Sequence, residues 1–115
     1  MDRMEAGSLF LASTSLAELR FGVAILPPGR RKKNLSSTLD HLLASLFHGR
    51  ILAFDATAAE EFGVIVSRAR LRGRPIEMAD GQIAAIAAVH GYKVATRDTG
   101  PFEAAGVTVV NPWES

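Results

Sequence analysis

The sequence has no cysteine, which excludes disulfide-stabilised scaffolds, thiolate zinc sites and cysteine nucleophiles. It also has little net charge: 13 basic and 12 acidic residues leave +1, which excludes a strongly basic nucleic-acid-binding coat and an acidic tail. The longest unbroken apolar run, residues 83–89, is far shorter than the roughly 20 residues that cross a bilayer. Residues 1–7 lack the apolar segment of a secretory signal. These absences predict a soluble protein of the cytoplasm.

The chain has 115 residues, enough for one compact domain and too few for two. Hydrophobic residues make up 48% of it, so it can bury a continuous core, and this argues against disorder. We therefore expect a single domain over residues 1–115, with residues 1–7 as the remnant of a helix or a disordered start.

Short apolar segments alternate along the chain with segments of helical periodicity. The predicted strands are residues 8–12, 51–54, 93–97 and 107–110. The predicted helices lie between residues 13 and 25, over 35–46, between 55 and 73, over 78–90 and over 101–105. Strands that alternate with helices imply crossover connections, so we expect a three-layer α/β/α fold with a mostly parallel sheet.

Side chains near the predicted helix starts suggest how two helices begin. Ser15 followed three residues later by Glu18 has the spacing of a capping box, and Asp55 is placed to cap the helix after the second strand. The basic run at residues 30–33 is expected to be solvated chain that precedes the predicted helix over 35–46. That helix carries a leucine stripe, formed by Leu35, Leu39, Leu42, Leu43 and Leu46. That stripe, together with the apolar helix over 78–90, predicts either core or a dimer surface.

Three carboxylates fall after strands or at the start of helices, where open α/β sheets bind their ligands. They are Glu18, Asp80 and Asp98. Converging carboxylates repel one another unless a divalent cation lies between them, and all-oxygen ligands suit Mg²⁺ or Mn²⁺. Each of the three also has a plain structural explanation as a helix-capping residue. Spacing alone leaves both explanations open.

Five segments occur in a recognisable order: SLAELRFG at 15–22, GRILAFD at 49–55, ADGQIAA at 79–85, ATRD at 95–98 and NPW at 111–113. This ordered set resembles the PIN-domain ribonuclease toxins of type II toxin–antitoxin modules, in the VapC/FitB-like branch. The resemblance implies an endoribonuclease that uses Mg²⁺ or Mn²⁺ to activate water for the hydrolysis of RNA phosphodiesters. It also implies a homodimer and a cognate antitoxin with a DNA-binding head.

Carried over residue by residue, the resemblance gives Glu18, Asp80 and Asp98 the role of catalytic metal ligands. Thr96 would support them with its hydroxyl group without binding the metal itself. Arg97 and Arg20 are candidate RNA contacts.

The chain departs from the family pattern in one respect, because no Asp-Thr-Asn segment occurs in it. Family members place that segment, with the first metal-binding aspartate, after a strand that precedes the one matched here by residues 8–12. We therefore expect an N-terminally shortened PIN-like domain that is weak or inactive as a nuclease. The alternative function is that of a non-catalytic remnant that dimerises or binds an antitoxin.

Two basic runs could guide an RNA backbone towards the acidic residues. They are residues 30–33 and the series Arg68, Arg70, Arg72 and Arg74. With a net charge of only +1, the sequence taken alone favours ordinary solvated surface for each of them.

Overall fold

The computed structural model describes residues 9–95 and 99–110. The chain divides into two compact units, Met1–Leu52 and Ala53–Ser115. In the part of the chain that the structure describes, every helix is too short or too polar to span a membrane.

The first unit pairs two short strands and two helices. In chain order its elements are β1 (Leu11–Ala12), α1 (Ser13–Ala24), α2 (Arg30–Ser45) and β2 (Ile51–Leu52). The strands are parallel, with Leu11 opposite Ile51. Arg50, just before β2, links the two strands through two hydrogen bonds. Its carbonyl accepts from the Leu11 amide at 3.0 Å, and its Nε donates to the Leu9 carbonyl at 3.2 Å. Its guanidinium also lies 5.2 Å from the centre of the Phe10 ring, in cation–π range.

The predicted capping box at the start of α1 is wrong. The helix begins at Ser13 with Ala12 as its N-cap residue, and no side chain caps it. Because β1 runs directly into the helix, Ser15 already lies inside the first turn, and Glu18 falls in the second. A serine can cap only from the position before the first turn, so the spacing between Ser15 and Glu18 has no capping role here.

The basic run forms the first turn of α2, so the expectation that it precedes the helix is also wrong. The helix begins at Arg30, directly after Gly29. Positive charge at a helix N-terminus is electrostatically unfavourable, but arginine and lysine have high helix propensity. Lys32 Nζ also donates to the carbonyl of Ala24, the last residue of α1, at 3.0 Å. That contact satisfies a carbonyl at the end of α1 and helps hold the two helices together.

The second unit has three helices and a second pair of parallel strands. Its elements are α3 (Ala56–Leu71), α4 (Met78–His90), β3 (Val94–Ala95), α5 (Gly100–Ala105) and β4 (Val109–Val110). Asp55 caps α3 as predicted, accepting from the Ala58 amide at 3.0 Å. The bounds of α4 are those predicted, and Gly91 ends it in the left-handed conformation. The predicted α/β class with parallel strand pairing is confirmed.

The core of the second unit lies between its helices and strands. Its buried apolar residues are Ala58, Ile65, Ala69, Ile76, Ala84, Ala85, Ile86, Ala87, Val94, Phe102 and Ala104. At the edge of this core, the rings of Phe54 and Phe62 pack edge to face with centroids 5.8 Å apart. The first unit buries fewer apolar side chains. In the leucine stripe of α2, Leu39 is buried, whereas Leu35 and Leu42 are about two-fifths exposed. The stripe as a dimer surface stays a prediction.

Candidate functional site

Glu18 lies in the second turn of α1, and its side chain is exposed. Arg20, two residues further on, forms a salt bridge with Asp40 of α2, with Nη2 2.7 Å from Oδ1. Arg20 would have to leave this exposed pair to contact RNA. Its role as an RNA contact stays a prediction.

Asp80 lies in the first turn of α4, where the helix dipole favours negative charge, and it is half-buried. It is not the N-cap residue, because that position belongs to Glu77. Its neighbour Gly81 is buried where α4 comes close to α3: a Cβ atom added there would lie 2.8 Å from both Phe62 Cε2 and Val66 Cγ2. The absence of a side chain at Gly81 therefore fixes how closely the first turn of α4, and with it Asp80, approaches α3.

Asp98, Thr96 and Arg97 lie outside the described residues. The element before them, β3, ends at Ala95, and the element after them, α5, begins at Gly100. In the sequence, Asp98 falls between these two elements. Glu18 lies in the first unit and Asp80 in the second. Among residues 9–95 and 99–110, no three carboxylate or histidine groups come together as a metal site.

The donor chemistry of the predicted residues fits a hard divalent cation. Carboxylate oxygens are the ligands that Mg²⁺ and Mn²⁺ prefer, and Mg²⁺ in proteins is usually held by one or two carboxylates while waters fill the remaining positions. The chain has no cysteine that would favour zinc over them. By residue type, the carboxylates of Asp80 and Asp98 are therefore chemically suitable as ligands.

Sequence reasoning missed two contacts that bear on this region. One is the close approach at Gly81, for which a glycine inside a strongly helical segment was the available signal. The other joins Arg74 and Gly100: Nη2 of Arg74 donates a long hydrogen bond, 3.4 Å, to the Gly100 carbonyl. No sequence pattern predicts that contact, because the two residues are far apart along the chain.

Comparison with known proteins defines the class to which this α/β chain belongs. The family model described as PIN domain matches residues 1–107. The chain therefore belongs to the PIN-domain family. Three relatives match nearly its whole length and narrow the comparison within that family. They are named as a plasmid stability protein, a VapC ribonuclease and a toxin.

The plasmid stability protein StbB of Pseudomonas syringae pv. tomato is 44% identical over 115 residues, which are 100% of this chain and 83% of the relative. The VapC ribonuclease Y4jK of Sinorhizobium fredii is 42% identical, over 99% of this chain and 81% of its own. Toxin FitB of Neisseria gonorrhoeae is 45% identical, over 98% and 81%. The predicted resemblance to the VapC/FitB-like branch is thus confirmed.

Solved structures agree with the sequence relatives. The crystal structure of FitAcB from Neisseria gonorrhoeae matches with a TM-score of 0.90 and 45% identity, over 97% of this chain and 81% of that one. The structure of FitAB bound to the IR36 DNA fragment also matches with a TM-score of 0.90, at 43% identity over 97% and 78%. The chain therefore has the fold of a PIN-domain toxin.

Proposed function

We propose that the chain is the ribonuclease toxin of a toxin–antitoxin pair and that it hydrolyses RNA phosphodiesters with the help of Mg²⁺ or Mn²⁺. The observation that carries this proposal is its similarity, over nearly its whole length, to a protein named VapC ribonuclease and to one named toxin FitB. The position of Asp80 in the first turn of α4, beside the close approach at Gly81, supports it.

In this proposal Asp80, Asp98 and Glu18 hold the cation through their carboxylate oxygens. A bound Mg²⁺ or Mn²⁺ supplies an activated water and stabilises the charge that develops on a phosphodiester. The first turn of α4 keeps the Asp80 carboxylate in place, since Gly81 sets its distance from α3. Thr96 holds a neighbouring carboxylate through its hydroxyl group, and Arg97 and Arg20 contact RNA.

The proposed protein partner is an antitoxin with a DNA-binding head. Support comes from the solved relatives, which include FitAcB and FitAB bound to a DNA fragment. The chain is also proposed to form a homodimer. The exposed Leu35 and Leu42 on α2 support that, because they leave part of an apolar stripe uncovered within their own unit.

A second candidate function is that of a non-catalytic protein that dimerises or binds an antitoxin. The absence of an Asp-Thr-Asn segment favours it, since the family resemblance assigns a metal-binding aspartate to that segment. On this account the chain cleaves RNA weakly or not at all. A version of the chain with a restored Asp-Thr-Asn strand should then cleave faster, and equal activity of the two proteins would contradict this account.

The test of the proposed function is cleavage of a generic single-stranded RNA by the purified chain with Mn²⁺. Asp98→Asn and Asp80→Asn should abolish cleavage, because each removes a charged ligand while keeping the shape of the side chain. Glu60→Gln is the matched control: it removes an exposed carboxylate on α3 that the proposal leaves outside the site. Cleavage that survives Asp80→Asn and Asp98→Asn would refute the proposed site. A folded chain that binds antitoxin without cleaving RNA would support the second candidate.

A further inference from the structure

Four arginines lie within seven positions where α3 ends and the chain turns towards α4. Arg68 and Arg70 belong to the last turn of α3, Arg72 is its C-cap residue, and Arg74 follows Gly73 in the connection. All four side chains are exposed. We name these four residues the arginine junction.

The charges of the arginine junction are not neutralised within the described chain. Over residues 9–95 and 99–110, none of its four guanidinium groups has a carboxylate within 4 Å, whereas Arg20 has Asp40 at 2.7 Å. The whole chain carries a net charge of only +1, so the junction is a local concentration of positive charge. A surface of this kind attracts a polyanion.

The helix dipole accounts for only half of the junction. A positive side chain in the last turn of a helix is favoured by the dipole, which explains Arg68 and Arg70. Arg72 and Arg74 lie beyond that turn, where the effect falls away. Their backbone is nevertheless ordered, because the amides of Arg72 and Arg74 both donate to the Ala69 carbonyl, at 3.1 and 2.9 Å. Gly73, with φ of 76°, makes this turn possible.

The junction contacts the start of α5 and leads along the chain into α4, which carries Asp80. The hydrogen bond from Arg74 to the Gly100 carbonyl brings its guanidinium to the start of α5, two residues after Asp98. The segment that follows Arg74 leads within a few residues into α4 and Asp80. A phosphate chain cut at these acids has to run over the surface next to them, and arginine binds phosphate through paired N–H donors.

We propose that the arginine junction is a binding surface for RNA phosphates, on which Arg72 and Arg74 hold the strand beside the candidate site. This inference rests on the proposed function for its substrate, but it concerns binding and can be tested without cleavage. Each phosphate contact on a single strand contributes about 0.7 to the slope of log affinity against log salt. Two contacts therefore contribute a slope of about 1.4, which amounts to about 25-fold in affinity at 0.1 M salt relative to 1 M salt.

The experiment measures the affinity of the chain for a short, fluorescently labelled single-stranded RNA by anisotropy in EDTA, over a range of salt. The test variant is Arg72→Gln/Arg74→Gln, which leaves both dipole-favoured arginines in place. The matched control is Arg30→Gln/Arg31→Gln, which removes the same charge from exposed positions at the start of α2. The test variant should bind about 25-fold more weakly at 0.1 M salt with a slope smaller by about 1.4, and the control should change little.

Three results of the affinity measurement would each overturn the inference: no binding of RNA by the unaltered chain, equal losses in the two double variants, or unchanged affinity in the test variant. Thermal unfolding by circular dichroism confirms that both variants are folded. Displacement of the RNA by poly-glutamate of equal charge would also refute the inference. The junction would then bind acidic protein as readily as RNA. RNA binding that depends on the junction, in a chain that cleaves nothing with Mn²⁺, would refute the proposed function and leave this inference standing.

Discussion

A Cβ atom on Gly81 of α4 would lie 2.8 Å from Cε2 of Phe62 on α3. The same atom would lie 2.8 Å from Cγ2 of Val66, whose β-branched side chain has a single strongly preferred rotamer in a helix. Phe62 in turn packs edge to face against Phe54. The first turn of α4 thus lies against a surface that has little freedom to move, and this turn carries Asp80.

Gly81→Ala should destabilise the protein, although alanine is the better helix former. Overpacking a close contact costs about 1–3 kcal/mol, which over most of that range exceeds the roughly 1 kcal/mol that alanine gains over glycine in a helix. We expect a lower free energy of unfolding in urea. The same substitution should weaken any Mn²⁺ binding by Asp80, since the turn that carries Asp80 has to shift.

Gly63→Ala is the matched control for that substitution. Gly63 lies in α3, and a Cβ atom there would meet nothing within 4 Å. The replacement should therefore raise the free energy of unfolding by about 0.5–1 kcal/mol through helix propensity alone. If both glycine variants were stabilised, the close approach of α4 to α3 would not constrain the fold as argued.

Asp55→Ala should destabilise α3 by about 1 kcal/mol, because the Ala58 amide loses the side-chain oxygen that accepts from it at 3.0 Å. Asp55→Ser should restore most of that loss, since serine is also a good N-cap residue. Chemical unfolding of the three proteins measures the difference. Equal stability of the serine and alanine variants would mean that the cap contributes nothing and that the loss has another cause.

The sequence predicted those elements whose limits depend on local chemistry. The bounds of α4 follow from an apolar segment that ends at Gly91, a residue whose left-handed conformation glycine adopts without steric cost. The cap at Asp55 follows from one side chain and the amide three residues later. In both places the decisive contacts lie within a few residues along the chain, so the pattern alone contains them.

The sequence misled where a distant part of the chain decides the structure. The start of α1 is set by the direct entry from β1, which pairs with a strand some 40 residues away in sequence. In the first turn of α2, Lys32 donates a hydrogen bond to a carbonyl at the end of α1. For the candidate site, the residue types Glu18, Asp80 and Asp98 are readable from the sequence. The close approach of α4 to α3 at Gly81 and the hydrogen bond of Arg74 to Gly100 are tertiary contacts, which no local sequence pattern predicts.

The salt bridge between Arg20 and Asp40 should contribute little to stability. Both side chains are largely exposed, at 44% and 63%, and exposed pairs are typically worth about 0.2–1 kcal/mol because water and salt screen them. A double-mutant cycle of Arg20→Gln and Asp40→Asn, followed by urea unfolding, should give a coupling energy in that range that falls as salt is added. A markedly larger coupling would show that Arg20 is fixed to Asp40 and poorly suited to contact RNA.

Mn²⁺ should raise the melting temperature of the chain, and Asp80→Asn should remove that rise. A ligand that binds only the folded state stabilises it by RT ln(1 + [L]/Kd), about 2.7 kcal/mol at a hundredfold excess over Kd. Asparagine keeps the shape of the side chain but removes the charge that attracts the cation. Glu77→Gln is the matched control, because it removes an exposed carboxylate at the N-cap position of the same helix. If only Asp80→Asn loses the Mn²⁺-dependent rise in melting temperature, the result supports Asp80 as a ligand. An equal loss in Glu77→Gln would instead indicate that Mn²⁺ binds through the general negative charge at the start of α4.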